Sequence, residues 1–530
     1  MTIKKLLIAN RGEIASRIIR SAHDMGIATV AIYTEPDSNS PYVRQANEAF
    51  KLETSYLNSK EILNIASKAN VDAIHPGYGF LSENYNFANQ VKKANLKWVG
   101  PSANAIKKMG DKLIAKTLSE KAGVPTLPMT NNPKNADKIG FPILVKAAAG
   151  GGGKGMRIVR KQKELKDAIT SAEREAEGGF GDKRVFLERY IAKSRHIEIQ
   201  ILGDSHGNII HLGERECSIQ RRHQKVVEES PSPIIDYDLR NKMGEAAIKM
   251  ASLLKYESAG TVEFLFDEKT KEFWFLEVNT RLQVEHPVTE EVTGIDLVRE
   301  QLKIANGDPL SISQDDVEII GSSIEVRLYS EDPGNDFLPV TGKLIAFDPC
   351  EEPLVRWDVG VESGSEITPN FDPMLAKIIS YGEDRIEAAN KLALALEKSH
   401  FGGLKTNRDY LIAILRSEEF LKGNTTTDFL NQANIKDEIN LTKEEVLLTA
   451  ISASMWVQGK NRNDSEVLSN LASGWNNARL PNQEVNFDYS GEKISIKYKR
   501  NRDNTFSISD GKKVIIHSWA PDFIDIEIDN

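Results

Sequence analysis

Residues 261–287 read as a β-hairpin with acidic and amide side chains at every second position. The segment is TVEFLFDEKTKEFWFLEVNTRLQVEHP, in which two alternating runs flank the polar turn DEKTKE. Such alternation predicts two antiparallel strands, although the turn is longer than the tight two-residue type. A turn centred on Thr270 places Glu263 opposite Glu277, with the two Cβ atoms about 5 Å apart. Two facing carboxylates need a cation or a proton between them, and this requirement constrains the surrounding fold.

Strand alternation continued through residue 285 assigns two faces to this segment. One face is predicted to carry Glu277, Asn279, Arg281, Gln283 and Glu285, and the other Trp274, Leu276, Val278, Leu282 and Val284. Carboxylates of Glu263 and Glu277 with the amide oxygen of Asn279 suit Mg²⁺, which prefers oxygen ligands and keeps some waters for substrate phosphates. The alternative is a solvated polar face, which is common on antiparallel strands. The continuation into Arg, Gln and Glu favours the metal site.

The first hundred residues alternate short apolar runs with amphipathic stretches. KKLLIAN predicts a strand, RGEIASRIIRSAHDMG a helix ending at Gly26, and ATVAIYT a second strand. EILNIASKA and VDAIHPGYG repeat the pattern of helix and strand. Alternation at this spacing predicts a parallel, doubly wound sheet. From about residue 141 to 285 the runs become hairpin-like, which indicates a different module.

The stretch AAAGGGGKGMR at residues 147–157 joins two β-rich runs. A Walker A loop would read G-x-x-x-x-G-K-[ST] and lead into a helix, whereas Lys154 is followed by Gly155. Glycines lack a Cβ, so the backbone can approach phosphate oxygens and swing between the flanking strands. We therefore expect a mobile lid that closes over a nucleotide. A plain glycine linker is the alternative.

Composition excludes several classes of partner. The net charge is −9, which disfavours a general binder of nucleic acid or of a bilayer surface. Cys217 and Cys350 are the only cysteines, so a reducing compartment is expected, and Cys217 is interpreted as a packing thiol. No apolar run is long enough to span a membrane. The expectation is a cytoplasmic protein with no nucleic-acid or membrane partner.

Several long motifs resemble the biotin carboxylase component of biotin-dependent carboxylases. They are IANRGEIASRIIR, HPGYGFLSEN, MGDK, ERECSIQRRHQKVVEE and EVNTRLQVEHPVTE, and the resemblance covers about residues 1–435. It implies an α/β fold with a Rossmann-like amino-terminal domain (1–112) and a central ATP-grasp domain (113–325) with a glycine-rich lid at about 130–203. An α+β carboxy-terminal domain (326–440) and a helical and β-rich tail (441–530) would follow.

The resemblance also implies an activity and its cofactors. Members of the family use ATP and Mg²⁺ (or Mn²⁺) to activate bicarbonate as carboxyphosphate, and then carboxylate N1 of biotin held on a partner. No A/V-M-K-M biotinylation signature occurs in this sequence, so biotin is expected on a separate carrier protein. The final acceptor is expected to be acetyl-CoA or propionyl-CoA, with pyruvate as the alternative.

The same resemblance assigns roles to individual residues. Residues implied to bind the nucleotide are Lys112, Lys146, Gly152, Gly153, Glu188, Ile191, His196, Gln220, His223, Glu263 and Glu277. The implied metal ligands are Glu263, Glu277 and Asn279, and the implied bicarbonate and biotin contacts are Lys225, Arg281, Gln283, Val284 and Arg327. Glu285 is the implied general base, which acts with Arg281, Arg327 and Lys225. Arg327 would stabilise the biotin enolate.

Partners and alternatives complete the sequence-based hypotheses. A biotin carboxyl carrier protein, a carboxyltransferase subunit and a homodimer or larger carboxylase complex are expected. The tail is weakly similar to the region of acyl-CoA carboxylase α chains that docks the carboxyltransferase, and an appendage without catalytic consequence is equally open. Another ATP-grasp ligase and a non-catalytic scaffold are the competing functions. The buried charges that the site would require argue against the scaffold.

Overall fold

The structure is a computed structural model that describes residues 2–149, 156–222, 224–433, 435, 441–467, 481–489, 491–521 and 523–529. The chain forms two compact units, Met1–Asp437 and Glu438–Asn530, which are described separately below. Among the described residues, no helix combines the length and apolar character needed to cross a membrane.

The amino-terminal part of the first unit is a parallel sheet flanked by helices, which confirms the doubly wound prediction. The strands are β1 Lys5–Ile8, β2 Ala28–Tyr33, β3 Glu48–Lys51, β4 Ala73–His75 and β5 Lys97–Trp98. The helices are α1 Gly12–Asp24, α2 Pro41–Gln45, α3 Ser59–Lys68, α4 Tyr85–Lys93, α5 Ala103–Met109 and α6 Lys112–Lys121. The strand order is β3-β2-β1-β4-β5. The order in which strands are added to the sheet reverses between the parallel strands β1 and β4, and a cavity of about 370 Å³ lined by Asn10, Glu13, Tyr78 and Phe371 opens at their carboxyl ends.

A small antiparallel sheet follows and flanks the glycine segment. Its elements are β6 Met129–Thr130, α7 Ala136–Ile139, β7 Ile143–Ala147, β8 Arg157–Val159, α8 Leu165–Phe180 and β9 Val185–Arg189. β7 pairs with both β8 and β9, so the segment between β7 and β8 joins two neighbouring strands, as predicted. Gly152 and Gly153 lie outside the described residues. Residues 195–203, which the prediction includes in the lid, pair within a different sheet.

The largest sheet crosses the predicted boundary between the central and carboxy-terminal modules. The elements up to that boundary are β10 Arg195–Gly203, β11 Ile209–Arg221, β12 Gln224–Ser230, α9 Tyr237–Leu254, β13 Ser258–Asp267, β14 Glu272–Asn279, α10 His286–Thr293, α11 Leu297–Asn306 and β15 Ser322–Tyr329. The predicted boundary at 325/326 falls inside β15. β15 pairs with β12 on one side and with residues 374–382 on the other, so the two modules share one sheet.

The rest of the first unit covers one face of this sheet with helices. Its elements are β16 Glu331–Asp332, β17 Leu338–Pro339, β18 Gly342–Lys343, β19 Ala346–Asp348, β20 Arg356–Val359, β21 Glu366–Ile367, β22 Met374–Gly382, α12 Arg385–Lys398, β23 His400–Gly402, α13 Arg408–Arg416, α14 Glu418–Leu421 and α15 Phe429–Gln432. The order of the large sheet is β14-β13-β10-β11-β12-β15-β22-β20. Leu392 and Leu396 of α12 and Leu411 of α13 pack against it in one apolar core.

Both faces of the central strand β10 are buried. Ile197, Ile199 and Ile201 enter the apolar core formed with α9. The alternate residues His196 and Glu198 are also buried, and they face away from that core. The polar face of the sheet is therefore an interior surface and not the solvated face considered above. Buried polar groups need partners, and the partners on this face form the candidate site.

The hairpin confirms the predicted pairing of Glu263 with Glu277 but not the face assignment around it. The ladder pairs Glu263 with Glu277 and then Phe264 with Phe275, so Leu276 is an extra, bulged residue. The bulge moves Trp274 opposite Leu265, and Trp274 therefore does not share the face of Val278. β14 also ends at Asn279, so strand alternation does not assign faces to residues 281–285.

The second unit has its own core. A helix, α16 Lys443–Asn463, precedes the strands β24 Gln483–Tyr489, β25 Glu492–Arg500, β26 Phe506–Ile508, β27 Lys513–Ala520 and β28 Phe523–Ile528. The described strands pair in sequence order as an antiparallel sheet. Ile451 and Met455 of α16 pack against Ile496 and Val514 of the sheet. The tail thus combines a helix with strands, as predicted.

Two adjacent leucines at the end of α9 test the core beneath β10. Leu254 is buried in this core and Leu253 is 48% exposed. Leu254→Ala is expected to lower the free energy of unfolding by about 2–5 kcal/mol, because it removes buried methyl groups and leaves a cavity. Leu253→Ala is the matched control and should change it by less than about 0.5 kcal/mol. Urea unfolding of both variants measures the difference, and equal losses would contradict this packing.

Candidate active site

Two lysines share one buried carboxylate beside the glycine segment. Lys146 of β7 lies 2.5 Å from Glu188 of β9, and Lys116 of α6 contacts the other oxygen of the same carboxylate. Burial would raise the pKa of Glu188, but the two ammonium groups lower it below its usual value. Burial lowers the pKa of Lys116. The structure thus brings together Lys146 and Glu188, which were predicted separately as nucleotide contacts, and Lys116 is a third member that the sequence did not indicate.

The start of α6 places Lys112 next to the hairpin. The carboxylate of Asp111 accepts hydrogen bonds from the N–H groups of Leu113 and Ile114 at 3.0 and 3.1 Å, so the helix begins at Lys112. The Lys112 ammonium lies 3.9 Å from a carboxylate oxygen of Glu277. The structure therefore brings together a predicted phosphate lysine and a predicted metal ligand.

The predicted metal ligands meet at the end of the hairpin. Glu263 and Glu277 face each other across the ladder, and the Asn279 amide donates to Glu263 at 2.7 Å. Glu263 also contacts Nε2 of His196 at 2.8 Å. Burial would raise the pKa of Glu263, but Lys225 and His196 hold it well below its usual value. Two carboxylates and an amide form an oxygen-rich donor set that fits a hard divalent cation.

Lys225 is the centre of the site. Its ammonium lies 2.6 Å from Glu198, 3.1 Å from Glu263 and 2.5 Å from Glu285. Burial alone would lower the pKa of Lys225, but the three carboxylates raise it well above its usual value. The three acids come from β10, from β13 and from the residue that precedes α10. A single cation on β12 thus ties together three separate parts of the first unit.

Glu285 and Arg327 form a second contact within this cluster. Glu285 is the N-cap of α10, yet its side chain makes no capping bond and instead contacts Arg327 at 3.0 Å. Arg327 also contacts Glu228. Burial opposes the charge of Glu285, but Lys225, Arg327 and Arg215 hold its pKa well below the usual value. Glu285 is therefore an ionised carboxylate at neutral pH.

Residues 281–284 form an irregular loop between β14 and α10. Arg281 donates to the Gln283 side-chain oxygen at 2.9 Å and to Glu83 at 3.3 Å. Gln283 is buried, and its amide nitrogen lies 3.5 Å from Glu263. The carbonyl oxygen of Val284 accepts a hydrogen bond from Lys377 at 2.8 Å. The predicted anion-binding residues therefore do gather at one place, through a loop and not through a strand.

The remaining predicted nucleotide contacts lie around this cluster. Gln220 of β11 is 3.0 Å from Nδ1 of His196, so these two predicted residues are in contact. Ile191 follows β9 and is half-buried. His223 lies outside the described residues.

The structure adds partners that the sequence reasoning missed. Arg215 is fully buried and binds Glu198 at 2.5 Å, and it also contacts Thr289 of α10 at 2.9 Å. Glu228 contacts Arg327, and Lys377 donates to the carbonyl oxygen of Val284. Lys377 is a single charged residue within an apolar strand run, and such an isolated charge is the sequence signal that would have indicated a buried polar contact. Arg215 and Glu228 each stand beside a glutamate, so this signal does not mark them.

A lysine pair beside the glycine segment, facing carboxylates at the end of a hairpin and a parallel amino-terminal sheet together define an ATP-grasp enzyme. Three family models match the chain in order and cover most of the first unit. They are "Biotin carboxylase, N-terminal domain" at residues 2–106, "Carbamoyl-phosphate synthase L chain, ATP binding domain" at 102–313, and "Biotin carboxylase C-terminal domain" at 325–432.

Relatives of known identity support the same family. Biotin carboxylase 2 of Bacillus subtilis is 48% identical over 441 residues, which are 81% of this chain and 99% of that protein. The methylcrotonoyl-CoA carboxylase subunit alpha of Rattus norvegicus is 40% identical over 97% of this chain and 72% of its own length. The biotin carboxylase domain of Hydrogenobacter thermophilus 2-oxoglutarate carboxylase superposes with a TM-score of 0.81, at 41% identity, over 83% of this chain and all of that domain. The chain belongs to the biotin carboxylase family, and it is an ATP-dependent ligase that carboxylates biotin.

Glu228 gives the site a distinctive pH dependence. Burial raises the pKa of Glu228 from 4.5 to about 7. Arg327 opposes this rise in pKa, and the neighbouring carboxylate of Glu285 adds to it. Between these pH values the folded protein keeps a proton that the unfolded chain has lost, so the contribution of Glu228 to stability falls as pH rises. Glu228→Gln should therefore gain stability relative to the wild type from pH 4.5 to 7, and this gain should level off above pH 7.

Urea unfolding at several pH values between 4.5 and 8 measures this difference. Glu245→Gln, on the exposed face of α9, is the matched control and should follow the wild type at every pH. Parallel curves for Glu228→Gln and the wild type would contradict the shifted pKa.

Proposed function

We propose that this chain supplies the biotin carboxylase half-reaction of an acyl-CoA carboxylase, with Glu285 as the base that deprotonates bicarbonate. The observation that carries the proposal is the position of Glu285, whose carboxylate lies 2.5 Å from Lys225 and 3.0 Å from Arg327. An ionised carboxylate can accept a proton, and the adjacent cations can hold the anions that gain or lose it.

Movement of Lys225 from Glu285 to bicarbonate would control the proton affinity of Glu285. In the structure Lys225 is occupied by three carboxylates, one of them Glu285. Bicarbonate is an anion that competes for this ammonium. When Lys225 turns toward bicarbonate, Glu285 loses its nearest positive charge and its pKa rises. The base therefore becomes stronger at the moment its substrate arrives.

Arg281 and the loop that follows it would form the rest of the anion site. The guanidinium of Arg281 is a planar donor that matches two oxygens of a carboxylate-like anion. Its partner Gln283 is buried and held against Glu263, which keeps the loop in place. The N–H of Val284 is the third proposed contact. These groups would place bicarbonate between Glu285 and the phosphates of ATP.

The nucleotide would occupy the cleft between the small antiparallel sheet and the hairpin. Lys112 and Lys146 are proposed to hold its phosphates, with Gly152 and Gly153 in the lid, and Glu188, Ile191, His196, Gln220 and His223 around the adenosine. Glu263, Glu277 and Asn279 would hold Mg²⁺, or Mn²⁺, whose charge neutralises the phosphates during transfer. The Hydrogenobacter domain was crystallised with MgADP and bicarbonate, which supports both ligands.

Arg327 is proposed to serve the second step, the carboxylation of biotin. Its guanidinium lies beside Glu285, so the enolate oxygen of biotin and the proton-transfer site would be adjacent. Biotin would arrive on a separate carrier protein. An acyl-CoA thioester is the proposed acceptor on a carboxyltransferase subunit, because the rat α subunit aligns through the tail of this chain.

Substitution of Glu285 tests the assignment of the base. Glu285→Gln is expected to lower bicarbonate-dependent ATP cleavage by about 10²–10⁴-fold, because the amide cannot accept the proton. Release of ADP in the presence of free biotin and bicarbonate measures the rate, and binding of MgADP shows that the nucleotide site remains. Glu245→Gln is the matched control outside the site.

Three results would contradict the proposal. Normal turnover of Glu285→Gln would show that Glu285 is not the base. ADP release by the wild type that ignores bicarbonate and biotin would favour another ATP-grasp ligase. Absence of any ADP release by the wild type would favour the scaffold.

Residues 438–530 are proposed to dock the carboxyltransferase. The unit has its own core. The alignment with the Bacillus biotin carboxylase covers 99% of that protein but 81% of this chain, so that protein aligns over nearly its full length without all of the tail. A chain ending at residue 437 should therefore keep carboxylation of free biotin and lose co-purification with the carboxyltransferase. Retained co-purification would contradict docking by the tail.

Homodimer formation is proposed from the dimeric Hydrogenobacter domain.

A further inference from the structure

Lys377 lies beside Arg327 in the large sheet. The two residues are directly opposite each other in the ladder of β15 and β22, so their side chains share one face. Lys377 is completely buried and Arg327 is 8% exposed. A pair of neighbouring buried cations on adjacent strands is costly unless each has anionic or carbonyl partners.

The two cations contact consecutive residues of the loop before α10. Arg327 contacts the side chain of Glu285 at 3.0 Å, and the Lys377 ammonium donates to the main-chain carbonyl of Val284 at 2.8 Å. Together they hold the side chain of the proposed base and the peptide that precedes it. Residues 281–285 lie outside the strand ladder, so this loop lacks the regular hydrogen bonds that fix β14.

The charge of Lys377 is balanced from two other elements. Glu13 of α1 lies 3.4 Å from the ammonium, and Asp358 of β20 lies 3.8 Å from it. Tyr78 in turn donates to Glu13. The ammonium therefore connects the amino-terminal sheet region, the large sheet and the catalytic loop.

Stability alone is a weak reason for this arrangement. An apolar side chain of similar length would fill the same space, and replacing buried ion pairs by well-packed apolar groups is often neutral or stabilising. The hydrogen bond to Val284 is what such an apolar replacement would lose. Resting on the function proposed above, we propose that Lys377 is a positioning residue that fixes the Val284–Glu285 peptide, so that the base and the Val284 N–H are aligned on bicarbonate.

The central test is Lys377→Met in the full-length protein. A displacement of the loop by about 1 Å is enough to lower the rate by roughly 10²-fold, so kcat for bicarbonate-dependent ATP cleavage should fall by about 10–100-fold. The KM for bicarbonate should rise, whereas the KM for ATP and the binding of MgADP should stay unchanged. A purely structural role would change these nucleotide parameters as well. Lys377→Arg keeps a cationic donor and should restore part of kcat.

Two further variants separate the loss of the Val284 contact from a general loss of stability. Lys377→Met leaves Glu13 without its cation, so Glu13→Gln/Lys377→Met restores the charge balance and removes the bond to Val284 together with the longer contact to Asp358, which keeps Arg356 and Arg20 as partners. This double variant should fold, as measured by thermal unfolding, and should show the same loss of kcat. Lys391→Met is the matched control, because Lys391 also donates to a main-chain carbonyl, that of Tyr381, at 2.9 Å. Its kcat should equal that of the wild type.

The outcomes separate this role from the proposed function. If bicarbonate stimulates ATP cleavage equally in the wild type and in the double variant, the role of Lys377 is overturned and the proposed function stands. Equal losses in kcat and in MgADP binding would also overturn it, because they indicate general damage. A wild type that bicarbonate does not stimulate would overturn the proposed function and, with it, this role.

Discussion

The shared ammonium of Lys225 is the interaction on which the site depends. Three carboxylates, those of Glu198, Glu263 and Glu285, converge on it from β10, β13 and the start of α10. Without this cation the three acids would repel one another in a buried volume, and each would have to take up a proton or move toward water. Arg215 completes the balance by binding Glu198 from the other side and Thr289 of α10. The loop that carries Glu285 is therefore placed by charge, because the ladder ends before it.

The continuity of the large sheet explains how residues far apart in sequence reach this cation. β12 carries Lys225, and its neighbour β15 carries Arg327, which pairs across the next ladder with Lys377 of β22. These strands belong to modules that the sequence divides at residue 325. Because one ladder joins them, their side chains keep fixed spacings, and Glu285 is held by cations from both modules. The division of the chain into family models is thus not a division of the candidate active site.

Much of the fold was predictable from local patterns, whereas the environment of each charge was not. The parallel sheet follows from alternating runs. A turn centred on Thr270 predicted the pairing of Glu263 with Glu277, whereas in the structure Asp267 pairs with Glu272 and the bulge brings Glu277 opposite Glu263. The bulge at Leu276 is not visible in an alternating sequence, so the face of Trp274 was assigned wrongly. Residues 281–285 were assigned wrongly because the strand ends at Asn279. Glu198 and Lys377 were missed because each is one charge between apolar neighbours in a strand, and Arg215 was missed because it stands between two glutamates. Only the packing of layers shows which face of each strand is buried.

Glu188 and Lys225 are each shared by several groups of opposite charge, and this sharing has a physical consequence. Glu188 holds Lys146 and Lys116, just as the carboxylates around Lys225 hold a cation that an anionic substrate can also bind. A phosphate that attracts Lys146 leaves Glu188 paired with Lys116, so the carboxylate stays ionised in a buried position. A single lysine would leave it unpaired, at the several-kcal/mol cost of an isolated buried charge. In the proposed mechanism, Lys116 would therefore allow a phosphate to draw Lys146 away without leaving Glu188 as an unpaired buried carboxylate.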